Sequence, residues 1–240
     1  EAYEHLKASL EVLPRLGDGH DYIGIRSLLV LACLQRGDPD EAEYWLRQAS
    51  IDNTPQQDAF YRPDLGGRAE IALARGLTEV GLGLWRSAVE RMLAAASTDT
   101  SDAGIDPWAF QIQAVAVTAH AHVGRLELVA QPVDRLRQRL RALLSGPSGS
   151  PVELPVIGTA LHALGLAGLA SGDAGAVRMI ALAERLQVAR DFQPTMSADR
   201  ARQAAQDADG AAYADAVSVY AALGWDALRE AARELTSGRG

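Results

Sequence analysis

The sequence predicts an all-α fold of stacked antiparallel helical hairpins, with about eleven helices in one domain over residues 1–240. Three observations predict it. Alanine and leucine dominate the 240 residues, aromatics make up only 5% and β-branched runs are few, a composition that favours helix. Apolar residues recur at helical spacing, as at Ile25, Leu28, Leu29, Ala32 and Cys33. Four times, a helical run closes on a glycine and a second amphipathic run starts at once. These joints are Arg36-Gly37-Asp38-Pro39-Asp40-Glu41-Ala42, Arg75-Gly76-Leu77-Thr78-Glu79, Val123-Gly124-Arg125-Leu126-Glu127 and Ser171-Gly172-Asp173-Ala174. They recur roughly every 40 to 50 residues, the period that stacked helical hairpins produce.

Each element has a local reason. Residues 2–16 read as a first helix through Leu6, Leu10 and Leu13, ended by Pro14 and Gly17. The second helix runs from about Asp21 to Arg36, and Gly37 supplies the positive φ that closes it. Asp38 caps the partner helix, and Pro39 sits at its first position, where a missing N–H costs nothing. That helix continues through Ala42, Leu46 and Ala49. The second hairpin pairs 65–76 with 78–96, Thr78 being its N-cap. The third pairs 106–124 with 126–145, and Pro132 is expected to delay or kink its second helix. The fourth pairs 154–171 with a second helix that starts near Asp173; its core reads as 177–186, and the pattern fades by Arg190. Phe192-Gln193-Pro194-Thr195 breaks the chain. Helices over 197–206, 211–223 and 225–235 close it, so 1–190 reads as hairpin repeats and 191–240 as capping helices.

Composition bounds the function. The chain is long enough to bury a core without disulfides or metal. Cys33, the one cysteine, lies in an apolar helical stretch and reads as a buried small hydrophobe, and a lone cysteine fits a reducing cytoplasm. No stretch of 18 or more apolar residues without charge stands out, so no membrane span is expected. The formal net charge of −8 argues against direct nucleic-acid binding. The chain opens on Glu1-Ala2-Tyr3-Glu4 and reads as a piece of a longer polypeptide.

The stretch from Arg26 to Ala49 resembles a tetratricopeptide repeat. Gly37 and Asp38 fall at that family's turn, Ala42 and Ala49 at its small packing positions and Leu46 at its large one. Gly81, Trp85 and Ala88 take these roles after the second joint, and Val129, Val133 and Leu136 after the third. The tail (Ala181–Leu186, Ala211–Ala216 and Ala222–Ala232) resembles the C-terminal end of large actinobacterial regulators: the AfsR-like members of the Streptomyces antibiotic regulatory protein (SARP) family, and large LuxR-type regulators. The resemblance implies a tetratricopeptide-like superhelix attached to ATPase and DNA-binding modules, which would be its partners. It implies a concave face lined by the first helix of each pair. The positions in question are Ser27, Leu31 and Gln35; Glu70 and Leu73; Gln111, Thr118 and His122; and Thr159, His162 and Leu166. Of these, Ser27, Gln35, Glu70, Gln111, Thr118, His122, Thr159 and His162 are the expected contacts to a peptide or small-molecule effector.

No nucleophile–base pattern, paired-carboxylate spacing or phosphate loop stands out, so no catalytic residue, cofactor or metal is expected. His120 and His122 point in different directions and cannot chelate one metal. Arg135, Arg137, Arg139 and Arg141 read as a solvated face, or more sharply as a docking stripe for an acidic partner surface or for DNA phosphates. Trp45 and Trp85 read as inter-helix packing, and Trp108 and Trp225 as staples opening helices. Three functions follow, in this order: a regulatory interaction array, a small-molecule receptor with a pocket near His122, Thr159 and His162, and a scaffold that oligomerises through residues 211–235.

Overall fold

The computed structural model describes residues 1–12, 21–51, 63–96, 107–146 and 153–237. Among them lie eleven α-helices and no strand: α1 (Ala2–Val12), α2 (Asp21–Gln35), α3 (Pro39–Ile51), α4 (Pro63–Ala74), α5 (Thr78–Ala96), α6 (Pro107–Ala121), α7 (Ala130–Ser145), α8 (Glu153–Ser171), α9 (Ala176–Leu186), α10 (Ala198–Ala221) and α11 (Trp225–Thr236). Where the sequence reading has one domain, the chain divides into two compact units. Unit one holds Glu1–Asp99 and Phe192–Pro194; unit two holds Thr100–Asp191 and Thr195–Gly240.

All four joints have one construction. Gly37, Gly76, Gly124 and Gly172 take φ of 77°, 73°, 67° and 77°, a region that costs other L-residues energy. The residue after each glycine donates its N–H five residues back: Asp38 to Cys33, Leu77 to Ala72, Arg125 to His120 and Asp173 to Gly168. Each glycine N–H reaches three residues back, so the two bonds satisfy carbonyls that a helix end would otherwise leave open. Asp38 caps α3 as expected, its Oδ1 accepting the Glu41 N–H at 2.9 Å. Thr78 is instead the first helical residue of α5. The Leu77 carbonyl takes the first helical bond, from Gly81, because the turn at Gly76 uses Leu77 as its last residue.

In unit one, Tyr3, Leu29, Val30, Cys33, Leu34, Ala42, Leu46 and Ile71 form the core. Burial pushes the Cys33 thiol up to about 12, with Glu41 adding to it. The Tyr3 phenol donates to the Glu41 carboxylate, and the Arg36 guanidinium lies 4.4 Å from the Tyr3 ring centre. Small residues set the helix spacing. A Cβ on Gly81 would meet Leu73 at 2.6 Å, and one on Gly67 would meet Leu46 at 2.9 Å. Trp85 is fully buried against Gly66, which makes it a packing residue.

Unit two is built around α6 and α8, which pack on each other. Every residue from Ile112 to His120 and from Val156 to Gly168 is buried. The run Leu154–Ser171 contains no Asp, Glu, Lys or Arg. By length and composition it could cross a membrane, with 72% of it buried in the protein. This corrects the reading that no such stretch exists: Thr159, His162 and the glycines interrupt the apolar letters without adding charge. Gly158, Gly165 and Gly168 line the side facing α9. Cβ atoms there would lie 2.0 Å from the Gln187 carbonyl oxygen, 2.7 Å from Ile180 and 2.9 Å from Ala176.

The remaining helices follow sequence signals closely. A 3-10 turn, Leu126–Val129, precedes α7, so the helix containing Pro132 starts late, as expected. Helices expected over 197–206 and 211–223 are one helix, α10, broken by the non-helical Asp209 (φ −159°). Between α9 and α10, Glu184 accepts from Tyr213 and, at 2.5 Å, from Arg202. Burial alone would raise the Glu184 carboxyl, but these two donors outweigh it and hold it below its usual range. Helix α11 closes the end of α7: Arg229 donates to the carbonyls of Leu143 (2.7 Å) and Gly146 (2.9 Å), and Arg233 to that of Leu144 (2.7 Å). Cations on a helix C-terminus satisfy both its open carbonyls and its dipole. On the arginine stripe of α7, the exposed Arg141 donates to the Thr236 carbonyl at 2.6 Å.

Candidate functional site

The expected contact residues fall into two sets, one in each unit. In unit one, Ser27 and Gln35 lie on α2 and Glu70 on α4. Gln35 is exposed and donates its amide to the Phe192 carbonyl at 2.7 Å. Glu70 is buried and accepts from the Gln193 side chain at 2.8 Å. Ser27 is half-buried.

In unit two, Gln111, Thr118 and His122 lie on α6, spaced by seven and four residues and hence on one side of it. Thr159 and His162 lie on α8. Gln111 accepts from the Arg190 guanidinium at 2.8 Å, and Arg190 is itself buried. His122 Nε2 pairs with the Thr195 carbonyl at 3.0 Å. Thr159 Oγ1 donates back to the Pro155 carbonyl at 2.7 Å and accepts the Ala189 N–H at 3.0 Å.

In unit one, then, Gln35 and Glu70 hold Phe192 and Gln193, and in unit two Gln111, His122 and Thr159 hold Arg190, Thr195 and Ala189. The local sequence explains how the stretch after α9 arrives there. Helix α9 ends at Leu186, and Gln187 takes φ of 67°, the only positive value outside glycine among the described residues. The Gln187 backbone then rests on α8 at Gly158, where no side chain stands in the way. That places the Ala189 N–H at Thr159. Val188 and Met196 flank the stretch as buried apolar residues, while the Phe192 side chain is exposed.

Thr118 and His162 do not line an open surface. Both are fully buried, and neither Thr118 Oγ1 nor His162 Nε2 has a hydrogen-bond partner among the described residues. Burial lowers the His162 imidazole to about 4, with His122 nearby adding to the shift. Burial also lowers His122 to about 4, with the Arg200 charge adding and the Thr195 carbonyl opposing. Both rings are neutral at pH 7, so each offers one donor and one acceptor. His120 is buried too, its Nδ1 paired with the Ala116 carbonyl at 2.7 Å. Among the described residues no three His, Cys, Asp or Glu gather as metal ligands would.

Elsewhere, Trp225 does not act as a staple. It is 56% exposed, with the Arg185 guanidinium 5.4 Å from its ring centre. Val217 and Val219 on α10 are also exposed. The Trp108 side chain lies outside the described residues, as do residues 13–20, with His20 among them.

Sequence reasoning missed Arg190, Gln193, Thr195 and Gly158. The signal that could have found Gly158 is the spacing Gly158, Gly165, Gly168 within one helix, a side free of Cβ atoms that invites close backbone approach. Arg190 and Gln193 gave no such signal, because Phe192-Gln193-Pro194-Thr195 reads as a plain break. Comparison with protein-family models, with curated proteins and with solved structures returns no match.

Proposed function

We propose that this chain is a non-catalytic interaction array whose helices bind polypeptide through side chains on the first helix of each hairpin. One observation carries the reading. In unit one Gln35 and Glu70 bind Phe192 and Gln193, and in unit two Gln111, His122 and Thr159 bind Arg190, Thr195 and Ala189. Stacked helical repeats commonly offer concave binding surfaces to partners.

The resemblance of the tail to AfsR-like and large LuxR-type regulators extends the proposal. On that reading the array is tetratricopeptide-like and cytoplasmic. It regulates a multidomain, ATP-dependent transcriptional regulator of secondary metabolism, with the ATPase and DNA-binding modules as its partners. An effector would act by preferring one of two arrangements of these parts. The test compares the polypeptide that carries this segment with the same polypeptide lacking it, in ATP turnover and promoter-DNA affinity at one salt concentration. A rise in either on deletion makes the array inhibitory, and a fall makes it a required surface. No change in either contradicts the regulatory reading.

A small-molecule receptor is the second reading. The buried Thr118 hydroxyl and His162 imidazole favour it, because buried polar groups left unpaired cost roughly 1–3 kcal/mol each. A metabolite that paired with them would raise the melting temperature, and His162→Leu would abolish that rise.

A further inference from the structure

We propose that this chain self-associates, the arginine face of α7 in one copy docking on the carboxylate face of α10 and the start of α11 in a second copy. This contact is independent of the interaction-array reading. Both faces belong to unit two, and local sequence builds each of them. Residues 130–145 hold Arg135, Arg137, Arg139 and Arg141 against a single acid, Asp134. Residues 203–228 hold Asp207, Asp209, Asp215 and Asp226, all exposed, and no lysine or arginine. Helix α7 packs against α6, α8 and α11, and α10 against α8 and α9. Neither face is neutralised within its own copy. Leu136, Leu140 and Leu144 are the buried stripe of α7, which leaves the arginines on its two flanks. Arg137 reaches Asp134 only at 3.9 Å. Arg135 and Arg139, one turn apart, have no ion-pair partner among the described residues, and neither have Asp215 and Asp226.

Charge complementarity makes a second copy the occupant. The chain carries a net charge of −8, so two copies repel each other on average. They can meet where a dense run of cations faces carboxylates, and α7 holds the densest run of cations in the sequence. The acidic face also offers apolar area. Tyr213, Ala216 and Tyr220 are the buried stripe of α10, so Val219 stands one turn from Asp215 on the outer side, both exposed. The exposed Trp225 opens α11 beside Asp226. Exposed ion pairs alone hold copies together weakly. Here they set the register, while arginine stems covering Val219 and Trp225 add buried apolar surface.

Sedimentation velocity of the full 240-residue chain, with charge reversals, tests the contact, each variant's fold being checked by circular dichroism. The parent chain should form oligomers whose dissociation constant rises roughly tenfold or more between about 0.05 and 0.5 M NaCl, because exposed charges are screened. Arg135→Glu with Arg139→Glu should give monomers, and so should Asp207→Lys with Asp215→Lys, because like charges then face each other. An equimolar mixture of the two variants should recover the parent's association: the reversed α7 of one matches the reversed α10 of the other, and the untouched faces still match. A parent chain that stays monomeric at its highest soluble concentration, oligomers that ignore salt, or a mixture that stays monomeric overturns the proposal. So does a monomeric parent that binds short duplex DNA through Arg135 and Arg139, which would give the stripe to nucleic acid. If a reversal fails to fold, the milder pairs Arg135→Gln with Arg139→Gln and Asp207→Asn with Asp215→Asn take its place. Each should weaken self-association about threefold or more, and unchanged association overturns the proposal.

Discussion

Hairpins α2–α3 and α8–α9 share a joint and differ in what lies between their helices. Both turn on a glycine at φ 77° and close with the same backbone bonds. In α2–α3 the small residues are Ala42 and Ala49, both buried on the second helix. In α8–α9 the small residues are Gly158, Gly165 and Gly168 on the first helix, so the α9 backbone itself comes against α8. The same turn thus joins two hairpins whose small residues lie on opposite helices. In the second, the glycines of α8 let the chain leaving α9 rest on α8 and reach Thr159.

Four substitutions and conditions break or sharpen this contrast. The largest effect is expected at Gly158→Ala. Its Cβ would sit 2.0 Å from the Gln187 carbonyl oxygen, and backbone cannot yield as a flexible side chain can. Urea unfolding should show a loss of about 3 kcal/mol, the upper part of the usual range for overpacking. Next comes acid. His162 stays neutral in the folded protein down to about 4, against 6.5 for a free imidazole. The unfolded chain therefore binds the extra proton between these values. Stability is complete above about pH 6.5 and is lost as the pH falls toward 4. His162 alone should cost about 2 kcal/mol between pH 7.5 and 5. Urea titrations at those two pH values check this, and His162→Leu should remove about half of the dependence, His122 supplying the rest.

A smaller effect is expected at the shared joint. Gly37→Ala leaves open space around the new Cβ but forces alanine into positive φ. It should cost about 1 kcal/mol in the same assay. The smallest effect has the opposite sign. Gly24 lies inside α2, and a Cβ added there would meet nothing within 4 Å. Gly24→Ala should gain about 0.5–1 kcal/mol through helix propensity alone. Equal effects at Gly24 and Gly158 would show that close backbone approach does not distinguish the two hairpins.

The joints were legible because each depends on a local conformation that one residue type favours. Gly37, the Asp38 cap, the buried Ala42 and Leu46 and the late start of α7 at Pro132 all follow from neighbours in sequence. The break at Asp209 was legible for the same reason, as two predicted helices with a gap. The candidate site was legible only by half. Gln35, Glu70, Gln111, His122 and Thr159 stand out as polar groups on apolar helices. Their partner segment does not, since Arg190 and Gln193 meet residues 79 and 123 positions away in the chain. The burial of Thr118 and His162 was equally hidden: a polar residue on a mostly apolar helix looks the same in sequence whether it faces a groove or another helix.

The central claim for unit two is that side chains on α6 and α8 hold the chain leaving α9. Amide exchange of Ala189 in Thr159→Val tests it most directly. Valine keeps the shape of threonine and removes Thr159 Oγ1, the oxygen that accepts the Ala189 N–H. The account predicts roughly tenfold faster exchange at Ala189, the equivalent of about 1.4 kcal/mol, with the amides of α8 unchanged. Unchanged exchange at Ala189 in the folded variant would contradict it.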